Sequence, residues 1–484
     1  MSCYQLLPFR FDRFNNNEYL LTNDAGEFIF LENKDFLRFV KGDMRADKNI
    51  FYNLKSRQFA TDQSIEPIIT MLATKVRTKK SNLNDFTTLH MVVPTLRCNS
   101  NCIYCQVSKK NLTDKNVDMT QATANNVIKT IFNSPAKSIK VEFQGGEPLT
   151  NYKMVQYIIE ESEWFSYKKK KNVEFVLCTN LSLITPKILK YLKKHKCYIS
   201  TSLDGTKDIH NKNRPLQTLY DSHKVFEDTL VLSKNILGNE YVSALMTTTC
   251  YSLGHFTDII NEYLRLGFRS IFLRSLNPYG FAKRDKHLIA YPISEFIDNY
   301  KKALSFIIDL NKNGTFFVEG YAELIINRIL TPFATGFVDL QSPAGVGISG
   351  VIYDYNGNVY VSDEGRMLAA VNDYRFEMGN VNQNTYDEIF NSEFMHSLIS
   401  SACTECLPAC AECVYQPFCG ADPVRNYSEQ GDIVGHRPTS DICKKNKEII
   451  KHILSIVREN DKDVMNVFWS WINRKPVELN RESL

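Results

Sequence analysis

The chain lacks any run of 18 consecutive apolar residues, and its opening stretch, "MSCYQLLPFRFDRFNNN", holds no apolar core of signal-peptide length. Neither a membrane span nor secretion is expected, so the reading is a cytoplasmic protein. It also lacks an excess of charge: 58 Lys and Arg against 54 Asp and Glu leave a formal +4 on 484 residues, which gives no case for a nucleic-acid partner. The one sharp basic run, Lys168 to Lys171, reads as a solvated turn. A chain of this length exceeds one ordinary core and suggests about three structural units, which excludes a small disulfide-stapled scaffold.

Cysteine, by contrast, is plentiful. In a reducing cytosol thirteen cysteines are expected to bind metal or do chemistry rather than pair as disulfides. Cys98, Cys102 and Cys105 are spaced C-x3-C-x2-C, while Cys410, Cys413 and Cys419 read C-x2-C-x5-C, with Cys443 following after 23 residues. Four thiolates close a cluster and three leave one position open. Cys403 and Cys406 form one more C-x2-C and read as free or alternate thiols. Cys3, Cys178, Cys197 and Cys250 are scattered and read as small buried hydrophobes.

Between residues 88 and 275, β-rich runs (89–95, 138–144, 173–179, 197–203, 241–249, 269–276) alternate with helix-period runs near 120–133, 152–165, 186–195, 219–236 and 255–266. Thr120 and Thr185–Pro186 mark helix starts. Repeated βα units with nearly continuous apolar strands give a parallel sheet covered on both faces. Six units suit a partial (β/α)6 barrel with its chemistry at the strand C-termini, and the cysteine triplet follows the first strand directly. Upstream, "EYLLT", "NDAG" and "EFIFL" form a hairpin before the helix-like "KDFLRFV", so residues 1–85 read as a small α+β domain. The barrel then spans 86–290 and a helical linker 291–345. The remainder, 346–484, begins with the hairpin "GVIYDYNGNVYVSD", which has Asn-Gly at its turn, and continues into the cysteine-rich tail.

"TLRCNSNCIYCQ", with Tyr104 before the last cysteine, followed by "FQGGEP" at the end of the second strand, resembles the radical S-adenosylmethionine (SAM) superfamily. The resemblance implies a TIM-like radical SAM barrel in which Cys98, Cys102 and Cys105 hold a catalytic 4Fe–4S cluster. The open iron binds SAM, and reductive cleavage gives a 5′-deoxyadenosyl radical, with an external electron donor supplying the electron. Gly145 and Gly146 would allow close backbone approach and Glu147 would accept from the SAM ammonium. By the same resemblance Tyr104, Thr179, Asn180, Ser202, Asp204 and Arg214 lie around SAM, and Arg274 is a partner for SAM or substrate.

The tail resembles the SPASM domain of peptide-modifying radical SAM enzymes, which implies an auxiliary 4Fe–4S cluster on Cys410, Cys413, Cys419 and Cys443. Ser342, Ser362 and Pro423 stand where that domain's further cysteines belong, so one auxiliary cluster is expected instead of two. Asp363, just after Ser362, matches the general base of sulfatase-maturating relatives, with Glu364 beside it. Motifs from "LLPFRF" to "GDIVGHRPTS" resemble the HxsB-type radical SAM maturases of the His-Xaa-Ser system. That implies a substrate peptide with His-Xaa-Ser repeats, a companion radical SAM maturase (HxsC), and residues 1–85 as a possible leader-binding element by β-augmentation. Two other readings stay open at this point: a radical SAM enzyme acting on RNA or a small molecule, and a non-catalytic zinc-binding scaffold.

Overall fold

The apolar runs between residues 88 and 275 form a parallel sheet whose strands are covered on both faces. In the computed structural model, which describes residues 4–44, 47–218, 221–277 and 279–477, β1 (Leu89–Val92), β2 (Ser138–Phe143), β3 (Asn172–Cys178), β4 (Cys197–Ser202) and β5 (Val242–Leu245) lie side by side in chain order. The register sets His90 beside Val141 and Phe143 beside Leu177. Helices α1 (Gln121–Asn133), α2 (Tyr152–Lys169), α3 (Pro186–Lys194), α4 (Lys207–Asn213), α5 (Ser222–Leu237) and α6 (Phe256–Arg265) alternate with these strands. Thr120 and Thr185 are N-caps, accepting from the Thr123 and Ile188 amides at 3.2 and 3.3 Å. The helix expected from residue 219 begins at Ser222; residues 219 and 220 lie outside the described residues, as does Cys3.

The sixth unit differs from expectation. Only Ser270–Ile271 is strand, and it pairs with Val318–Glu319 instead of β5. Side chains take the backbone donors that a longer ladder would use: Glu319 accepts from the Leu273 amide at 3.0 Å and the Tyr291 hydroxyl from the Leu276 amide at 2.8 Å. One backbone bond, Thr248 amide to Arg274 carbonyl, keeps this segment beside the end of β5.

The opposite edge is closed by the later hairpin. β6 (Gly350–Tyr353) pairs parallel to β1, and β7 (Asn358–Tyr360) and β8 (Glu377–Asn380) continue antiparallel to make an eight-stranded sheet. Gly357 supplies the positive φ, +91°, that the turn requires. The segment between barrel and hairpin is helical, α7 (Ile293–Lys312) and α8 (Gly320–Leu330). After the hairpin come the short α9 (Asp363–Ala369) and, near the end, α10 (Asp441–Glu459) and α11 (Lys462–Asn473). α7 and α8 pack on α10 and α11, with Ile307, Ile326, Ile453 and Trp471 fully buried. Among the described residues no helix is long and apolar enough to cross a membrane.

The N-terminal unit has its own core of Leu21, Phe39, Leu54 and Phe59. Its strands, Arg10–Arg13, Glu18–Thr22 and Phe28–Glu32, form an antiparallel sheet with Arg10–Arg13 on an exposed edge. The unit is pinned to the cysteine-rich tail, because Thr22 Oγ1 donates to the Val414 carbonyl at 2.8 Å and Arg10 Nε to that of Ala411.

Ile352 on β6 is buried against Met91, Val93 and Leu96. Ile352→Ala is expected to cost about 2–5 kcal/mol by leaving a cavity at the β1–β6 seam. Denaturant unfolding monitored by circular dichroism checks this; a loss under about 1 kcal/mol would show that the hairpin adds little to the sheet.

Candidate active site

At the C-terminal end of β1 the chain turns into the loop that carries Cys98, Cys102 and Cys105, and that loop is fastened on several sides. Arg97 clamps Asp118 through two bonds, Nε to Oδ1 at 2.7 Å and Nη2 to Oδ2 at 2.9 Å, and also donates to the Thr150 carbonyl at 2.8 Å. The Asn101 and Ile103 amides donate to the Pro215 and Asn213 carbonyls at 2.7 and 3.0 Å. Asn180, at the end of β3, reaches across to Asn99 Oδ1 and Ser100 Oγ, both at 2.9 Å.

The glycine pair after β2 lies directly on the start of this loop. The Gly146 amide donates to the Thr95 carbonyl at 3.0 Å and the Glu147 amide to that of Arg97 at 2.7 Å. A Cβ on Gly145, whose φ is +120°, would strike the Thr95 carbonyl oxygen, and one on Gly146 the oxygens of Leu96 and Arg97. Only glycine permits the two backbones to touch here. Glu147 is then buried, accepting from Thr179 Oγ1 and the Asn180 amide at 2.8 Å each and from the Leu149 amide at 3.1 Å. Burial raises its pKa against those three bonds.

Tyr104, Asp204 and Arg214 form a second lock. The Tyr104 hydroxyl donates to Asp204 Oδ2 at 2.6 Å and accepts from Arg214 Nη1 at 2.5 Å, with Asp204 wholly buried. Burial raises the Asp204 pKa, while Arg214 opposes the rise. Ser202 is half-buried at the end of β4. The sequence-predicted residues Tyr104, Gly145, Gly146, Glu147, Thr179, Asn180, Asp204 and Arg214 therefore surround one loop, and most bind each other.

Cys98, Cys102 and Cys105 share this one loop. Burial pushes Cys98 up to about 12, with Cys102 and Cys105 adding to the rise, and Cys102 up to about 11, with Arg214 opposing the rise and Cys105 adding to it. Desolvated thiolates at such a site call for cationic compensation, and soft sulfur donors suit iron. Among the described residues no three His, Cys, Asp or Glu side chains gather tightly enough for a single metal ion. Three soft sulfur donors on one loop fit an iron–sulfur cluster with one iron left open by the protein.

Of the four tail thiols, Cys410, Cys419 and Cys443 line one cavity. Cys419, Cys410 and Cys413 all raise the Cys443 pKa, which burial, the largest cause, pushes up to about 12. Cys443 lies in the first turn of α10, where Ser440 caps its amide at 3.2 Å. Ser342, in contrast, belongs to a polar network: it accepts from the Thr404 amide at 2.9 Å and donates to Glu405, which pairs with Lys80 at 2.7 Å. Ser362 caps α9 through the Gly365 amide, and Pro423 opens the helix Pro423–Gln430. Cys406 is exposed and Cys403 half-buried beside Glu405.

Between the barrel and this tail lies a chamber of about 350 Å³, lined by Leu89, Met91 and Leu245 from the sheet, by Asp363 and Glu364, and by Cys410, Cys419 and Cys443. Arg274 lines it 3.8 Å from Glu364, away from the Tyr104–Arg214 lock. Burial and Asp363 together raise the Glu364 pKa well above the carboxylate range. The sequence reading missed Asp339, Asp422 and Tyr279, which share the chamber, and Arg97. Arg97 precedes Cys98 and could have been singled out; its partner Asp118 carries no local pattern.

The family model described as the Radical SAM superfamily matches residues 92–229. The chain belongs to the radical SAM superfamily. An uncharacterized protein of Methanocaldococcus jannaschii is 30% identical over 211 residues, 43% of this chain and 68% of that one. The cysteine-type anaerobic sulfatase-maturating enzyme of Clostridium perfringens (strain 13 / Type A) is 24% identical over 69% of this chain and 89% of its own length. The solved structure of native anSMEcpe with bound AdoMet and Cp18Cys peptide shares the fold, with a TM-score of 0.63 at 18% identity, over 77% of this chain and 99% of that one. This radical SAM chain is therefore an iron–sulfur enzyme, with the cysteine-rich tail placed after its barrel.

Gly146→Ala is expected to leave the far-UV circular dichroism unchanged and to lower the iron of anaerobically reconstituted protein by about four atoms per chain, one cluster's worth; unchanged iron would refute the backbone-contact requirement. Glu364 binds its proton more tightly folded than unfolded, so its contribution favours folding at low pH and is lost as pH rises through the raised pKa. Glu364→Gln should therefore flatten the decline in melting temperature on going from pH 5 to pH 9; a parallel decline in both proteins would remove Glu364 as its source.

Proposed function

We propose that this enzyme is a peptide maturase whose substrate carries His-Xaa-Ser repeats, working alongside a companion radical SAM maturase, HxsC. The observation that carries the reading is the chamber in which the sheet, the Asp363–Glu364 pair and three thiols of the tail meet. Its walls are apolar at Leu89, Met91 and Leu245 and elsewhere carry carboxylates, Asp363 and Glu364 among them, beside cations, Arg274 and Arg425 among them, which suits a single side chain presented on an extended backbone. The sulfatase-maturating relative, named for acting on a protein, supports the same substrate class.

In this reading Cys98, Cys102 and Cys105 hold the catalytic cluster, and Cys410, Cys413, Cys419 and Cys443 hold one auxiliary cluster. With SAM bound, the catalytic cluster supplies the reductive cleavage that starts radical chemistry. Glu147 orients the SAM ammonium with its remaining lone pair, while Thr179, Asn180 and Ser202 line the approach. Tyr104, Asp204 and Arg214 hold the cysteine loop in place. Asp363 takes the substrate proton as general base, beside Glu364, which desolvation and Asp363 keep protonated to a higher pH than an ordinary carboxyl. The Ser342–Glu405–Lys80 network occupies the place of the thiolates that a second auxiliary cluster would need, which supports two clusters in total. The N-terminal sheet, with its exposed edge Arg10–Arg13, is the leader-binding element.

Co-expression of the chain with a His-Xaa-Ser peptide, followed by mass spectrometry, tests the reading. A mass change that Cys105→Ala abolishes and Asp363→Asn lowers at least about tenfold is expected. An unmodified peptide, together with SAM cleavage provoked by RNA or a small molecule, would overturn the substrate class.

A further inference from the structure

Arg437, in the short turn Arg437–Thr439 just before α10, is a buried cation, 9% exposed. Its guanidinium is held through two of its nitrogens: Nη1 donates to Asn426 Oδ1 at 3.1 Å and Nη2 to the Val434 carbonyl at 2.6 Å. The remaining nitrogen, Nε, is buried without a partner among the described residues. A buried N–H on a cation is costly to leave unpaired, and Arg437 shares the chamber lining with Cys410 and Cys443. Burial raises the Cys410 pKa, and Arg437 beside the thiol opposes the rise. A second donor rides on α10 itself. Asn446, one turn after Cys443 and 3% exposed, has its carboxamide oriented by the Tyr321 hydroxyl, which donates to Oδ1 at 2.6 Å. That turns Nδ2 toward Cys419 Sγ, 3.6 Å away. The carboxylates acting on these thiols, Asp12 at Cys413 and Glu412 at Cys410, are exposed. Solvent screens them, while the buried donors are screened much less.

We propose that Arg437 and Asn446 are positioning residues for the tail cluster, which donate N–H bonds to its sulfurs and raise its reduction potential. The proposal rests on the reading of Cys410, Cys413, Cys419 and Cys443 as holders of that cluster. Four thiolates on a four-iron core leave it anionic, and reduction adds one more negative charge. A fixed cation and fixed N–H dipoles therefore stabilise the reduced form more than the oxidised one, and more strongly out of water than in it. Arg437 Nε is the unpaired donor that a cluster sulfur would satisfy, and Asn446 Nδ2 already points at one. At the catalytic loop a backbone amide, that of Ser100, approaches Cys98 Sγ at 3.4 Å. Substitutions at 437 and 446 therefore leave the catalytic cluster as an internal standard.

The test is a dithionite redox titration of anaerobically reconstituted full-length protein, followed by electron paramagnetic resonance; the catalytic signal is the one that SAM changes. Arg437→Gln should lower the midpoint of the tail cluster by at least about 59 mV, a tenfold shift in its one-electron equilibrium. Asn446→Leu should lower it by less, and Arg437→Lys, which keeps the charge, should fall between Arg437→Gln and the wild type. The catalytic midpoint should stay in place in all three. A tail midpoint equal in the wild type, Arg437→Gln and Asn446→Leu overturns the proposal, as does an equal shift of both clusters. If Arg437→Gln loses iron, Asn446→Leu carries the test, and an unmoved tail midpoint in that variant overturns the proposal. Wild-type iron of about four atoms per chain instead of about eight removes the tail cluster and the proposal with it; about eight with unmoved midpoints removes the proposal alone.

Discussion

The active end of this molecule depends on two stretches of backbone in contact: Gly145–Gly146 after β2 against Thr95–Arg97 after β1. With no Cβ between them, amides of one loop reach carbonyls of the other at 2.7 to 3.0 Å. The contact fixes where the cysteine loop begins, and it buries Glu147 where Thr179 and Asn180 can hold it. The far side of the same loop is held by Asn213, Pro215 and the Tyr104–Asp204–Arg214 lock. Strands one to four thus each contribute to placing three thiols, and the sheet acts as their template.

The second constraint is charge in a partly desolvated chamber. Of the seven thiols at two places Cys98 is buried and the others are half-buried, and desolvation raises the pKa of Asp339, Glu364 and Asp422 in the chamber between barrel and tail. Arg274, Arg425 and Lys445 stand among these groups and offset part of their charge. A chamber built this way is expensive to keep empty of hydrogen-bonding or charged partners, which is the physical sense in which it is a working site and not a packing defect. Ser342, beside the tail, is held in a Ser–Glu–Lys network with Glu405 and Lys80.

Much of this was legible in the sequence, for identifiable reasons. Cys98, Cys102 and Cys105 share one loop, and Gly145–Glu147 carries its own turn chemistry, so local spacing exposed both. Strands β1 to β5 declared themselves by apolar runs between capped helices. The sixth strand is shorter than its β-rich run because Glu319 and Tyr291, later in the chain, take its amides. That the hairpin would seal the β1 edge was invisible, since β-pairing partners leave no local mark. Asp339, Asp422 and Tyr279 went unnoticed for a similar reason: each is unremarkable alone and meaningful only where separate segments meet.

The most direct test of the central claim, that three thiols leave one iron open while four close the other site, is Mössbauer spectroscopy of iron-57 protein reconstituted anaerobically, with and without SAM. The account predicts that SAM shifts the signal of one iron, about an eighth of the total in two four-iron clusters, and that Cys105→Ala removes the response. A spectrum unmoved by SAM, or one in which every iron is already bound by protein thiolate, would contradict it.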